Sequence, residues 1–372
     1  MASFKKATVV KIISERKGLV KAKIDLDGTE APAIAYPDLT GSLKTGDEVI
    51  VNTTALELGL GSGGFHIIVW NLGMDGYDSY SRGHIMKMRY TPLQMNCLAV
   101  EEEASGHNRE VEAEQDLRGM PVIAGTLHSQ LPPAVAVIKR ATDGRARVAY
   151  IMTDRAALPI SLSDTVVELK EKNLLDITIT IGQAFGGDLE AVNIYSALTA
   201  ARAVGNADIA VVAMGVGVVG TETLLGFSGI EQGEIVNAAH SLKGRPVAIP
   251  RINFKDPRPR HQGLSEQTVA ALTIAALVSC ELPVPRMDPD KMAQVNGQLE
   301  SSGLSARHHV SIVSNDETQE ALDLYGLKPT TMGRPYSEEP EFFRAAGSAG
   351  MVAAQMTKDR LMIDSQEDSD EV

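Results

Sequence analysis

The 372-residue chain has two cysteines, Cys97 and Cys280, far apart and with no second pair, so neither a disulfide framework nor a structural zinc site is indicated. Both read as small buried apolar residues. Basic charge is scarce as well. The 35 Lys and Arg face 48 Asp and Glu, a formal net charge of −13, which argues against nucleic acid as a partner drawn by bulk charge and favours a soluble cytoplasmic protein. No run of about 18 apolar residues occurs. The amino terminus follows Lys5 and Lys6 with a charged, alternating pattern, so neither a membrane span nor a secretion signal is expected. No Gly-x-Ser-x-Gly elbow surrounds Ser129, which leaves a serine-hydrolase assignment unsupported.

What is present is five short Val/Ile/Ala-rich runs that each stop on small, polar or charged residues: VIAGTLHS (122–129), VAYIMTD (148–154), ITITIGQAFGGD (177–188), IAVVAMGVGVVG (209–220) and VAIPRINFKD (247–256). Continuous apolar strands of this kind, alternating with helical patterns, predict an α/β fold: a mostly parallel sheet with helices on both faces. Helices are expected over 132–142, 163–173, 189–204, 231–242 and 265–279, with Ser163, Asp188 and Ser265 as caps. Residues 289–326 read as helix, strand (308–314) and helix, and a last helix covers about 338–358.

Ahead of this domain, residues 5–72 read as β-structure, because Val20, Ala22, Ile24 and Leu26 alternate with Lys21, Lys23 and Asp25. A small barrel-like module over 1–72 is the expected result. Residues 73–83, rich in Gly, Ser and Asp, read as a linker, 84–330 as the α/β domain, with a strand within 84–103 that fits either domain, 331–363 as a helical extension and 364–372 as an acidic disordered tail. Lys5, Lys6, Lys11, Arg16, Lys17, Lys21 and Lys23 form a basic edge. Such an edge either touches RNA or DNA or, more ordinarily, protects an exposed strand from aggregation.

Ligands of parallel sheets bind at the carboxyl ends of the strands, which directs attention to the run ends. His128, with Ser129 beside it, is the best acid/base candidate by position, since imidazole titrates near neutrality. Thr153 and Asp154 end the second run, and Asp154 is expected to orient His128 or bind a metal, with helix capping as the ordinary account. Asp188 and Glu190, after Gly186 and Gly187, read either as a base or hard-metal pair or as helix-capping acids. Gly215, Gly217 and Gly220 fit an anion-cradling turn, with simple loop geometry as the ordinary account. They lack the context of a dinucleotide fingerprint, because the strand is not the first and no helix follows at once. Arg251, Arg258, Arg260 and His261 form a basic segment able to clamp a carboxylate or phosphate, with surface ion pairing as the competing account. His308 and His309 face opposite ways on a strand, a poor metal site.

These readings lead to a small anionic ligand, phosphorylated molecules included, held by an enzyme or binding protein; no cofactor and no metal set is identified. The alternative is a regulatory or adaptor protein whose β-module contacts nucleic acid or a partner chain. A homo-oligomer with a purely structural role is a third reading.

Taken together, GHIMKMRYTPLQ (83–94), GTLHSQLPP (125–133), YIMTDRAALP (150–159), FGGDLEAVN (185–193), MGVGVVGTETLLGFSG (214–229) and RINFKDPRPRHQG (251–263) resemble the bacterial domain-of-unknown-function family 3866 over residues 5–285. The resemblance implies a bacterial protein of two-part layout and supplies no activity. Relatives tend to read Gly-His before Ala-Phe-Gly-Gly and Gly-Pro-Gly in the later loop. This chain has Gln183, which cannot move protons, and Gly215-Val216-Gly217.

Overall fold

The computed structural model describes residues 2–61, 63–314 and 317–370, and the chain divides into two units, Met1–Leu98 and Ala99–Val372.

In the first unit β1 (Phe4–Arg16), β2 (Leu19–Leu26), β3 (Thr29–Ala35), β4 (Glu48–Asn52) and β5 (His66–Asn71) close into a barrel of order β1-β2-β3-β5-β4. All neighbours are antiparallel except β3 and β5. The expected alternation holds: Val20, Ala22 and Ile24 are buried with Val9, Ala33, Val49, Val51 and Ile68, while Lys23 and Asp25 face out. Asp27 and Gly28, both at positive φ, turn β2 into β3, the two-residue hairpin geometry that matches strand twist. Short helices α1 (Pro37–Thr40) and α2 (Thr54–Glu57) complete the connections.

Residues 73–83 do not lead directly into the larger unit. Met74 and Tyr77 crowd the open side of Gly41, and the Asn96 side-chain amide donates to the Ser81 and Gly83 carbonyls at 2.9 and 2.8 Å. Asn96 belongs to a hairpin of β6 (Ile85–Lys87) and β7 (Met95–Cys97), so the division between units falls after Leu98 and residues 84–98 group with the barrel.

The second unit opens with α3 (Asn108–Ala113) and then alternates strand and helix: β8 (Pro121–Ala124), α4 (Leu131–Ala141), β9 (Val148–Thr153), α5 (Asp164–Glu171), β10 (Ile177–Ile181), β11 (Leu189–Ala191), α6 (Ile194–Ala203), β12 (Ile209–Met214), α7 (Glu231–Ser241) and β13 (Arg245–Ala248). A small hairpin of β14 (Ile252–Asn253) and β15 (Gly263–Leu264) follows, then α8 (Glu266–Ala270), β16 (Glu281–Pro285), α9 (Pro289–Ser301), α10 (Leu304–Arg307) and β17 (His309–Val313). The chain ends through α11 (Thr318–Leu324), the hairpin β18 (Thr330–Thr331) with β19 (Arg334–Pro335), and the long helix α12 (Pro340–Asp370). The acidic tail expected to be disordered over 364–372 continues this helix in its backbone as far as Asp370; residues 371 and 372 lie outside the described residues.

Eight strands form one parallel sheet of order β11-β10-β9-β12-β8-β13-β16-β17. All five apolar runs enter it, and their residues are buried because helices cover both faces. From β8 the chain moves toward the β11 edge through α4 and α5, then returns through α6 and α7 toward the β17 edge. Right-handed crossovers put these two directions on opposite faces, and α4 accordingly packs with α11 and α12 while α6 packs with α7. The loops leaving neighbouring β8 and β12 therefore depart to opposite sides, which opens a crevice between them.

One expected helix begins later than its pattern suggests. Leu189, Glu190 and Ala191 pair in parallel with Ile179, Thr180 and Ile181, so the helix starts at Ile194 and Asn193 caps it by accepting from Tyr195 N and Ser196 N. Asp188 is not a helix cap. Ser163 and Ser265 are caps as expected, accepting from Val166 N and Gln267 N.

Candidate functional site

At the carboxyl ends of β8, β12 and β13 the second unit holds a cavity of about 480 Å³. It is enclosed by Leu127, His128, Ser129 and Pro132 after β8, Gly215–Val218 after β12, Arg251 after β13, Thr165 and Glu168 from α5, and the 327–332 segment.

The turn after β8 is held by Gln130, whose side-chain oxygen accepts from the Thr126 and Leu127 amides at 2.8 and 3.1 Å. That fixes where α4 begins and aims His128 and Ser129 at the cavity. His128 Nε2 lies 2.7 Å from the Ser163 hydroxyl, and Nδ1 lies 3.3 Å from the Met214 carbonyl and 3.2 Å from the Tyr150 hydroxyl. With Nδ1 donating to Met214, Nε2 accepts the Ser163 proton while Ser163 Oγ accepts from Val166 N, which satisfies every member. Burial lowers the imidazole pKa to about 4, so His128 is neutral at physiological pH. Ser129 Oγ reaches Thr331 Oγ1 at 3.4 Å.

Beyond β12, a side chain at Gly215 would run into the Ala157 carbonyl and Met152, and Gly217 has φ 98°. The Val216 carbonyl accepts from Ala157 N at 2.9 Å, which anchors the turn. Among the described residues the Val216, Gly217 and Val218 amides donate to no protein acceptor. Gly220 lies outside the lining, bridged to Phe227 and beside Gln267.

Arg251 is buried and held by three bonds, Nε to Asn253 Oδ1 at 3.3 Å, Nη1 to Gln267 Oε1 at 3.0 Å and Nη2 to Asp256 Oδ2 at 3.3 Å, which use three of its five N–H groups. Burial lowers its pKa to about 10, which leaves it charged. Asp256 is shared with Arg258, whose Nε and Nη2 grip it at 2.8 and 2.7 Å; despite its burial, the Arg258 hydrogen bonds and charge hold its carboxyl well below the usual range. Buried Glu339 accepts from Phe254 N, Lys255 N and Arg334 Nε. Three guanidiniums thus meet two carboxylates behind this wall. His261 donates or accepts at Ser265 Oγ, 2.7 Å away, and its pKa falls to about 4 through burial and then the neighbouring arginines. Its Nε2, Arg260 Nε and Arg334 Nη2 are buried without a partner among the described residues. On the rim, Lys328 adds positive charge; Glu168 carries the opposite sign and lies 3.8 Å from Lys172.

Of the residues expected to carry function, His128, Ser129, Gly215, Gly217 and Arg251 line one cavity. Arg258, Arg260 and His261 stand behind Arg251. Asp154 does not orient His128: its Oδ2 accepts from Gln183 N at 3.0 Å, and Tyr150, Met214 and Ser163 occupy the imidazole nitrogens. Thr153 Oγ1 bonds to Glu231 at 2.8 Å. Gly186, Gly187, Asp188 and Glu190 sit at the β10–β11 edge. There Asp188 takes Thr178 N and Oγ1 at 2.8 Å and pairs with Lys170, while Glu190 takes Thr180 Oγ1 and Gly186 N at 2.6 and 2.7 Å. Both acids organise local backbone. Tyr150, Lys328, Thr331 and the buried Glu231 were not signalled by the sequence; Lys328-Pro329 carries no periodic pattern, and Glu231 reads as an ordinary first-turn acid.

Among the described residues no cluster of three or more His, Cys, Asp or Glu side chains is placed to hold a metal ion, and no helix is long and apolar enough to cross a membrane. Fold and cavity together define an α/β unit with a carboxyl-end crevice, in a chain whose other unit is a five-stranded barrel. The family model for "Protein of unknown function (DUF3866)" matches residues 32–350, and the chain belongs to that family. A search of curated proteins finds no match.

Proposed function

We propose that the α/β unit binds a small anion, a phosphate or carboxylate carried on an apolar body. The observation behind this reading is the composition of the cavity: Arg251, Lys328 and the open amides of Val216, Gly217 and Val218 share a lining with the apolar Leu127, Pro132, Leu327, Pro329 and Met332, with hydroxyls from Ser129, Thr165, Thr330 and Thr331, and with one carboxylate, Glu168. Backbone amides with a fixed guanidinium recognise an anionic group, and the apolar wall accepts the remainder. The excess of guanidinium over carboxylate behind Arg251 leaves positive charge uncompensated there. His128 contributes as a neutral, immobilised hydrogen-bonding group and a weak base, so ligand binding is favoured over proton transfer near neutral pH. The chain's acidity and its two buried cysteines, far apart in sequence, fit a bacterial cytoplasmic setting.

Thermal unfolding of the full chain with inorganic phosphate, pyrophosphate, citrate and phosphomonoesters tests the reading. At least one of these should raise Tm in a saturable way. Lys328→Ala, at an exposed position, should weaken the effect about tenfold, near 1.4 kcal/mol. A chain whose Tm none of these anions moves at millimolar concentration would falsify the assignment.

A further inference from the structure

The barrel unit carries a second concavity, of about 560 Å³, formed where the 77–80 segment and the β6–β7 hairpin face α1 and the end of β5. Trp70, Tyr77 and Tyr80 supply aromatic faces, and Pro92, Leu93 and Met95 an apolar floor. Tyr80 is 94% exposed, so its ring is open to a partner. The only charged residues lining the groove are Asp38 and Asp78, both exposed, and neither carboxylate has a cationic partner among the described residues. Residues 76–80 run without secondary structure, and their backbone amides and carbonyls bond to no other protein group among the described residues.

We propose that this groove docks an extended peptide segment of a partner protein, one that carries an arginine or lysine among proline or apolar residues. Three features converge on that occupant. Aromatic rings beside unpaired carboxylates attract a cation both through the ring faces and by charge. Trp and Tyr faces over an apolar floor suit proline, whose extended conformation is already ordered before binding. The unpaired main chain of 76–80 offers hydrogen bonds that a peptide backbone can meet and a simple ammonium ion cannot. Charge complementarity disfavours nucleic acid here, since the lining contains no Lys or Arg.

Trp70 is the only tryptophan in the chain, so its fluorescence reports on this groove alone. The experiment titrates the full-length protein with a capped Ala-Pro-Pro-Arg-Pro-Pro-Ala peptide, the same peptide with glutamate in place of arginine, argininamide, and an oligouridylate. The arginine peptide should shift Trp70 emission saturably and bind at least about tenfold more tightly than the glutamate peptide, with the double variant Asp38→Asn/Asp78→Asn losing a similar factor. Tyr80→Ala, at a site too exposed to disturb folding, should also weaken binding. A flat titration, equal responses across the charge series, argininamide matching the peptide, or oligouridylate binding in its place would each overturn the proposal.

Discussion

The His128 imidazole and the Ser163 hydroxyl lie 2.7 Å apart, and this bond joins the loop after β8 to the first turn of α5. Because the ring also meets Tyr150 and Met214, one side chain ties the loop after β8 to β9 and to the end of β12. Its folded pKa of about 4, set chiefly by burial, lies below the ordinary 6.5. Between those values the unfolded chain binds the extra proton, so stability is lost as pH falls from about 6.5 toward 4, by at most about 3 kcal/mol. His128→Gln should be less stable than the parent at pH 7 and should converge on it by pH 5 in urea denaturation. Parallel pH profiles for the two proteins would refute this.

Glu231 produces the opposite slope. Burial raises its carboxyl from 4.5 to about 7, against the Thr153 hydrogen bond and the Arg155 guanidinium 3.7 Å away. Here the folded state holds the proton longer, so stability is greatest below the ordinary carboxyl pKa and is lost as pH rises through about 7. Glu231→Gln keeps an acceptor for Thr153 and removes the titration. It should match the parent near pH 5 and exceed it at pH 8, by no more than about 3 kcal/mol. A constant difference between the two proteins across that range would show that Glu231 does not titrate there.

The strands of the parallel sheet were legible because burial on both faces leaves continuous apolar runs, and His128, Ser129, Gly215, Gly217 and Arg251 were legible because they end such runs. Other parts were not readable. Leu189-Glu190-Ala191 is too short to show a strand period, and with Asp188 before it the stretch imitates a capped helix. Residues 73–83 have linker composition, and it takes the packing of Met74 and Tyr77 against Gly41 and the Asn96 bonds to Ser81 and Gly83 to show that they belong with the barrel. Lys328, just before the β18–β19 hairpin, and Thr331 within it reach the cavity about 200 residues after His128, a juxtaposition set by tertiary packing alone.

Gly350 and Gly297, both helical glycines, should respond oppositely to alanine. A Cβ at Gly350 in α12 would overlap the Ala134 carbonyl of α4, backbone that cannot yield without separating the two helices. Gly350→Ala should therefore cost about 1–3 kcal/mol despite better helix propensity. Gly297 in α9 is exposed with nothing within 4 Å, and Gly297→Ala should gain up to about 1 kcal/mol. Equal effects at the two positions, read as shifts of the urea midpoint, would contradict the close approach of α4 and α12.

Asp256 links stability to the charge of the site, since one carboxylate, 1% exposed, serves both Arg251 and Arg258. Asp256→Asn leaves the buried Arg251 charge without a counterion, a loss on the order of 3–5 kcal/mol. The same change makes the wall behind the cavity more positive. If Arg251 faces a ligand anion, phosphate should restore more stability to Asp256→Asn than it adds to the parent, while chloride at matched ionic strength should not. Equal stabilisation by phosphate and chloride would mean that the added charge is screened as at any surface, and that Arg251 serves the fold without serving a ligand.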